Sequence, residues 1–412
     1  MFWIDRLRKL EITYLDLLNK INQQSSNNVF IREENPYLVF LNILKNFLSG
    51  QRSIILDYDF SEDELYKLGI TNTTIKESEY IQEDFSKKFH SIQEIIFYLK
   101  TNKKKIELDI YTSGTTGRPK KITQSFENLT RGVKEQSIYK DNIWGFAYNP
   151  THFAGLQVFF QAFFNTNTLV YIFGNDFKRI SLDLKVLQVS HLSCTPTFFK
   201  MLLPHVEGNI NSIVSLTFGG EKFDPKIEKF IIKKFPNAVI KNVYASTEAG
   251  SLFRSDGEYF IIPEKYVKLI KIENLELYIH KELLGKSKSF KLVGQWYKTG
   301  DIVELYDGGK FKFKNRKSEM INVGGYKVNP SEVEDIIKTI KGVADVIVFG
   351  RKNSLMGEIV VAHIVKESSQ NAKDLKEKIK QITSLELQEF KVPRLIKFVD
   401  SFELTRTGKI KK

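Results

Sequence analysis

Residues 111–120 read YTSGTTGRPK, and the interpretation of this stretch governs that of the whole chain. Gly114 and Gly117 let the backbone turn sharply and approach an anion closely. Free N–H groups and the hydroxyls of Thr112, Ser113, Thr115 and Thr116 supply donors, and Lys120 adds a cation. An apolar run at 106–111 leads into the loop and reads as a strand. The spacing G-x-x-x-x-G-K-[ST] is absent, so this is not a Walker A loop. By composition alone a bland turn is the better account, and the segments on either side must decide.

Upstream, residues 1–100 carry no recognisable chemistry. Helical periodicity covers 10–21 and 36–48, and 53–56 reads as a short strand opening into the acidic stretch 57–64. Downstream, apolar runs at 142–147, 168–173, 191–194, 213–218 and 238–243 alternate with helical patterns such as 225–235. That alternation predicts a largely parallel sheet flanked by helices. After 252, runs at 259–262, 267–272, 275–280, 301–306 and 310–314, with turns such as Asp307-Gly308-Gly309, predict an antiparallel region and a small barrel. A compact terminal unit follows. Ser331 and Glu334 make a capping box for its first helix; strands at 345–349 and 358–365, a helix near 374–384 and a strand at 394–399 come after. The expected fold is α/β: a large N-terminal α/β domain with a small antiparallel β region near its end, plus a small C-terminal α+β domain. The boundary is expected between 316 and 317, giving domains 1–316 and 317–412.

Further strings lie in order along the chain. Residues 219–221 are Gly219-Gly220-Glu221, and 242–250 read NVYASTEAG. Thr247 can donate to a phosphate, and Glu248 offers a hard oxygen to Mg²⁺. Residues 296–301 read WYKTGD, 314–334 read KNRKSEMINVGGYKVNPSEVE, and 405–409 read TRTGK. Each has a bland alternative: core packing for Tyr244, a surface turn for the Thr-Gly-Asp triplet, a solvated tail for Lys409.

Together with YTSGTTGRPK, these strings resemble the signature motifs of the adenylate-forming (AMP-binding) superfamily, which comprises acyl- and aryl-CoA synthetases, nonribosomal peptide adenylation domains and luciferases. The resemblance covers roughly residues 106–412. It implies that Thr112, Ser113, Gly114, Thr115, Thr116, Gly117 and Lys120 handle the phosphates of ATP. Tyr244 would pack on adenine beside Gly219, Gly220, Glu221 and Asn242, while Thr247 meets the α-phosphate and Glu248 helps hold Mg²⁺. Asp301 and Arg316 would contact the ribose. Ser318 falls at the interdomain hinge, where aspartate or lysine is usual. Gly324 and Gly325 belong to the loop lining the pantetheine channel. Lys409 would bridge carboxylate and α-phosphate, where a cation neutralises charge as one anion attacks another. The acid pocket would comprise His152, Phe153, Phe218, Ala245, Ser246 and Gly250. Ala245 replaces a usual glycine, and Asn315 another. Amino-acid-activating relatives carry an aspartate after an aromatic near His152; residues 151–155 have none, which implies an aryl, short-chain or fatty acid. The expected activity is acid activation by ATP to acyl-AMP, then transfer to coenzyme A. Loading of an acyl carrier protein phosphopantetheine is the alternative acceptor, and a catalytically silent nucleotide-binding protein the alternative of another class. Only about 110 residues precede the loop, so the N-terminal portion is expected to be abbreviated.

Bulk properties agree with an enzyme of this kind. The 412 residues are 42% hydrophobic and 27% charged, which suits a two-domain globular protein. One cysteine, Cys194, forbids an intrachain disulfide and fits a reducing compartment. No signal-like or membrane-spanning apolar run occurs, so a cytoplasmic location is expected. The 62 basic against 49 acidic residues give +13, suited to an anionic partner such as a nucleotide or coenzyme A. The lysines are scattered, however, and no reader motif points to nucleic acid.

Overall fold

The computed structural model describes residues 1–23, 26–81, 88–112, 120–223, 225–255, 257–324, 326–354, 356–368 and 370–403. Most of the 111–120 loop (residues 113–119), Gly325 and the terminal motif with Lys409 therefore lie outside the described residues. The chain forms two compact units: Met1–Ile270 with Ile279–Tyr297, and Lys271–Tyr278 with Lys298–Lys412.

The first unit is organised by an eight-stranded sheet. In lateral order its strands are Gly250–Ser255, Val239–Ser246, Ser215–Gly219, His191–Cys194, Ile143–Phe146, Thr168–Tyr171, Trp3–Asp5 and Leu10–Ile12. The six inner strands are parallel, and each edge strand is antiparallel. The expected parallel sheet is present, with one addition: residues 3–12 supply two of its strands. Helical periodicity at 10–21 is interrupted because Thr13 and Asp16 form a reciprocal capping box, which starts the helix at Tyr14 and leaves Leu10–Ile12 extended. Phe2 and Trp3 are fully buried, so the sequence's opening residues are core.

A second sheet, Phe30–Ile31, Ser53–Ile55, Glu107–Thr112 and Lys120–Ser125, carries the two arms of the glycine–threonine loop. The arms are antiparallel, Thr112 opposite Lys120 and Tyr111 opposite Lys121. Beneath them Asp109, fully buried, accepts from Arg52 Nη2 at 2.5 Å and Thr123 Oγ1 at 2.6 Å.

The helix Pro36–Leu48 is buried on nearly every face, as an apolar helix between two layers must be. It packs against Phe153–Phe164, with Phe40 stacked on Phe159 at 4.2 Å between centroids. Each such ring contributes roughly 1.5–3 kcal/mol through burial. This packing fixes the helix that starts at the expected acid pocket.

The strands after 259 form a hairpinned sheet. Phe260–Ile261, Lys310–Arg316, Trp296–Tyr306, Glu276–His280 and Ile270–Glu273 lie in that lateral order, and Leu292–Val293 pairs with Trp296–Tyr306. The path has two free ends, so among the described residues the expected small barrel is an open sheet. The terminal α+β part is built on Gly357–Lys366, which pairs with Val343–Asn353, Ile321–Val323 and, in parallel, Leu395–Phe398. Helices Pro330–Ile337 and Ala372–Glu386 close its core. The Ser331–Glu334 capping box is not formed. Pro330 takes the first helical position, Asn329 Oδ1 accepts from Ser331 N, and Glu334 instead accepts from Val348 N at 2.8 Å.

Candidate active site

Four neighbouring parallel strands, Val239–Ser246, Ser215–Gly219, His191–Cys194 and Ile143–Phe146, deliver the sequence motifs of the first unit at their carboxyl ends. From Ile143–Phe146 the chain goes to Thr168–Tyr171 on one side and later to His191–Cys194 on the other. This is a topological switch point, the place where an open α/β sheet leaves a crevice for ligands.

His152 follows the strand Ile143–Phe146. It stands at the N-cap of Phe153–Phe164 without capping it, and its Nε2 is buried. Opposite sits Asp57, a buried carboxylate arriving from the end of Ser53–Ile55. Asp57 Oδ2 is 3.6 Å from His152 Nε2, and Asp57 Oδ1 accepts from Asn149 Nδ2 at 3.2 Å and from the Thr151 hydroxyl. The acidic stretch 57–64 gave no hint of this, because the pairing spans about ninety residues. Gly155 explains the end of the same motif: a Cβ there would lie 2.3 Å from Asn149 O.

Thr195 caps the helix Pro196–Leu202, accepting from Phe198 N at 3.0 Å. Glu221 Oε2 accepts from Thr197 N at 3.0 Å, so it stitches the Gly219-Gly220-Glu221 turn to that helix. Gly220 has φ +82°, which the turn requires. Phe218 is fully buried, its ring against Phe199 and Phe223. Burial pushes the Tyr148 phenol well up, keeping it a neutral donor beside Gly219.

Asn242 is buried beside Phe218 in register, and the Tyr244 ring lies 5.4 Å from that of Phe253. A register shift at Tyr244/Ala245 re-aims the chain into the turn 247–249. That turn is held from several sides. Ser246 Oγ accepts from Ala249 N at 3.1 Å, the Thr247 carbonyl from Gln124 Nε2, and the Glu248 carbonyl from Gly285 N at 2.8 Å. Gln124 Oε1 accepts from Asn128 Nδ2 at 2.9 Å, and Asn128 Oδ1 in turn from Arg131 Nη2. Gln124, Asn128, Arg131 and Gly285 are supporting residues that no motif signalled. The backbone of the Thr-Glu turn is thus fixed, while the Glu248 carboxylate makes no hydrogen bond or ion pair with any described residue. No cluster of three metal-ligating side chains exists among the described residues. Magnesium fits such a site, since it takes one or two carboxylates and completes its shell with phosphates and water.

In the second unit, Asp301 is paired across the sheet with Arg316. Asp301 is buried; Arg316 Nε donates to its Oδ1 at 2.5 Å and Nη2 to its Oδ2 at 3.4 Å. Gly300 N donates to Glu276 Oε1 at 3.2 Å, and Lys317 Nζ donates to Glu276 Oε2 at 2.6 Å. That hydrogen bond holds the Lys317 amine above its ordinary range. Ser318 lies in the one-turn helix Lys317–Glu319, and Gly324 N donates to Met356 O at 2.8 Å.

The strand ends bring the Gly219-Gly220-Glu221 turn and the Thr247–Glu248 turn to the same end of the sheet. Residues 68–284 match the family model for AMP-binding enzyme, and 332–409 match AMP-binding enzyme C-terminal domain. The chain belongs to the AMP-binding enzyme family, and it is an AMP-forming ligase of the acyl-CoA synthetase kind. The 2-succinylbenzoate–CoA ligase of Staphylococcus epidermidis is 26% identical over 342 residues, covering 76% of this chain and 70% of that protein. ATP-bound MatB from Rhodopseudomonas palustris superposes with TM-score 0.74 at 17% identity, covering 99% of this chain and 93% of that one. The o-succinylbenzoate CoA synthetase (MenE) of Bacillus subtilis, in complex with its acyl-adenylate, superposes with TM-score 0.69 at 19% identity, covering 99% and 93%. The Bacillus subtilis enzyme is also known with ATP and a magnesium ion. No helix among the described residues is long and apolar enough to cross a membrane.

Proposed function

We propose that this chain converts an aryl or short- to medium-chain carboxylic acid lacking an α-amino group to acyl-AMP, and passes the acyl group to the thiol of coenzyme A. The observation that supports this most directly is the convergence of four strand ends on one crevice, with the Thr247–Glu248 turn braced by Gln124 and Gly285 and its carboxylate left unmatched. The name of the Staphylococcus epidermidis relative, an aryl-acid CoA ligase, points the same way.

A free carboxylate is a poor acyl donor because oxide would have to leave. Its oxygen attacks the α-phosphorus of ATP, the bond to the β-phosphate breaks, and pyrophosphate departs. A thiolate then attacks the acyl carbon, the carbon–oxygen bond to phosphate breaks, and AMP leaves with both bonding electrons. In this reading residues 112–117 and Lys120 hold the β- and γ-phosphates, Thr247 meets the α-phosphate, and Tyr244 covers adenine. Glu248 would hold magnesium, which withdraws charge from the departing pyrophosphate. Asp301 would accept the ribose hydroxyls. Lys409 serves the first half-reaction and the loop at 323–325 the second, in two arrangements of domains 1–316 and 317–412 about Ser318.

Exclusion of amino acids rests on the missing aspartate in the segment around His152. The segment 151–155 lacks one, and Asp57 has its Oδ1 engaged by Asn149 and Thr151. The cytoplasm, which holds ATP and coenzyme A, is the compartment this activity needs. The test is AMP release by the purified chain over aryl, short-acyl and long-acyl acids, with coenzyme A or a phosphopantetheinylated carrier protein as acceptor. Thioester on coenzyme A supports the reading; thioester only on the carrier replaces the acceptor; no AMP with any acid overturns it.

A further inference from the structure

Asp57 is a buried carboxylate that the two half-reactions above do not use. It follows the strand Ser53–Ile55, which lies beside Glu107–Thr112 in the sheet carrying the arms of the glycine–threonine loop. From there it reaches across to the eight-stranded sheet, to the turn 149–152 that leads from Ile143–Phe146 into the helix Phe153–Phe164. Asp57 Oδ1 accepts from Asn149 Nδ2 at 3.2 Å and from the Thr151 hydroxyl, and Asn149 Oδ1 accepts from Thr151 N at 3.0 Å. Gly155 closes the turn from the helix side, since a Cβ there would collide with Asn149 O. One carboxylate oxygen thus organises the backbone on which His152 stands.

The other oxygen faces the imidazole. Asp57 Oδ2 lies 3.6 Å from His152 Nε2, an ion-pair distance slightly longer than a hydrogen bond. Nε2 is buried and has no hydrogen-bond partner among the described residues, so this carboxylate is what decides its state. An ionised carboxylate only accepts, whereas each imidazole nitrogen either donates or accepts. A bare Nε2 would set a lone pair against the carboxylate oxygen. A proton on Nε2 turns the same contact into an attraction and fixes which ring nitrogen keeps a lone pair. The His152 side chain is still 20% exposed, so the part of the ring that a ligand can meet lies away from Nε2. The ring is not spent on the backbone either, because His152 leaves the helix start uncapped.

We infer that Asp57 is a positioning residue for the acid: it acts through His152, holding a proton on Nε2 and the imidazole turned so that its open edge borders the substrate. This rests on the acid-activating reading above, in which His152 borders the acid, and adds a residue to it. No proton moves to or from Asp57 in this role; its charge sets the tautomer and direction of the ring. The pair also joins the wall of the acid pocket to the sheet that carries the phosphate loop.

The test has two readouts. Long-range nitrogen–proton NMR of the histidine-labelled chain reports which ring nitrogen carries the proton, with His152→Gln assigning the signal among the six histidines. A protonated Nε2 in the wild-type chain is the expected result; a bare Nε2 overturns the inference. The second readout is pyrophosphate exchange with the acid that releases most AMP in the panel above. Asp57→Asn keeps the shape and one acceptor but removes the charge. It should lower kcat/KM for the acid on the order of tenfold and leave KM for ATP within about twofold. In a His152→Gln background the same substitution should cost nothing further, because the two residues act as one. A full loss that persists in that background overturns the inference, as does an unchanged kcat/KM for the acid in a folded Asp57→Asn protein; both leave acid activation standing. Absence of exchange with every acid overturns the activity and this inference together. Because the wild-type NMR result is decisive without Asp57→Asn, a misfolded variant does not shelter the claim.

Discussion

The Asp301–Arg316 pair and the turn at 247–250 treat charge in opposite ways. In the first, a buried carboxylate and a guanidinium satisfy each other across two strands, and the neighbouring Glu276 is matched by Lys317 and Gly300 N. In the second, the backbone is tightly braced, yet the Glu248 carboxylate makes no hydrogen bond or ion pair with any described residue. A region that neutralises itself has its geometry set before a ligand arrives. A region whose backbone is braced while its carboxylate is unmatched holds that charge ready for something that arrives. In the proposed function the difference separates residues that position the nucleotide from those that activate the acid.

The comparison is broken most severely at Glu248. Glu248→Gln removes the unmatched anion and should lower kcat/KM for pyrophosphate exchange on the order of a hundredfold, with a raised magnesium requirement. Titrating magnesium in wild type and variant checks this; an unchanged magnesium dependence would reassign the metal. At the self-satisfied pair the expected effect is smaller. Arg316→Gln should raise KM for ATP by about tenfold, with little change in kcat, as expected for a group that binds ground and transition states alike.

The braces come next. Gln124→Leu removes the donor to the Thr247 carbonyl and the acceptor for Asn128, leaving buried groups unpaired at a cost of about 1–3 kcal/mol. Chemical denaturation should show that loss, with a drop in exchange rate and no change in magnesium dependence. The smallest effect is a pH dependence. His191, half-buried and near Lys241, is pushed down to about 4 by partial burial and then by that charge. Its folded pKa lies below the unfolded value, so the unfolded chain binds more protons in that window, and stability should fall as pH drops from about 6.5 toward 4. His191→Gln should flatten that part of the thermal-melt profile, whereas an unaltered profile would assign the acid sensitivity elsewhere.

Much of this was legible before any coordinates. Strand–helix alternation from 105 onward identifies the parallel sheet because its period is local. The motif strings identify the turns because glycine and hydroxyl residues there answer to backbone geometry. What escaped was non-local. Trp3–Asp5 joins the main sheet beside Thr168–Tyr171, a partner more than 160 residues away. Asp57 reaches His152, and Arg131 reaches Ala249 and Leu283, through folded space alone. The capping box at Ser331 failed because a better cap, Asn329 followed by Pro330, precedes it by two residues. Phe218, expected in the pocket, is fully buried with its ring against Phe199, a contact no local pattern announces.

The most direct test separates the two half-reactions in Lys409→Ala. Acid-dependent pyrophosphate exchange and thioester formation from supplied acyl-AMP are measured on the same preparation. The account predicts that exchange is abolished while coenzyme A still receives the acyl group from acyl-AMP. Exchange at the wild-type rate in that variant would contradict it.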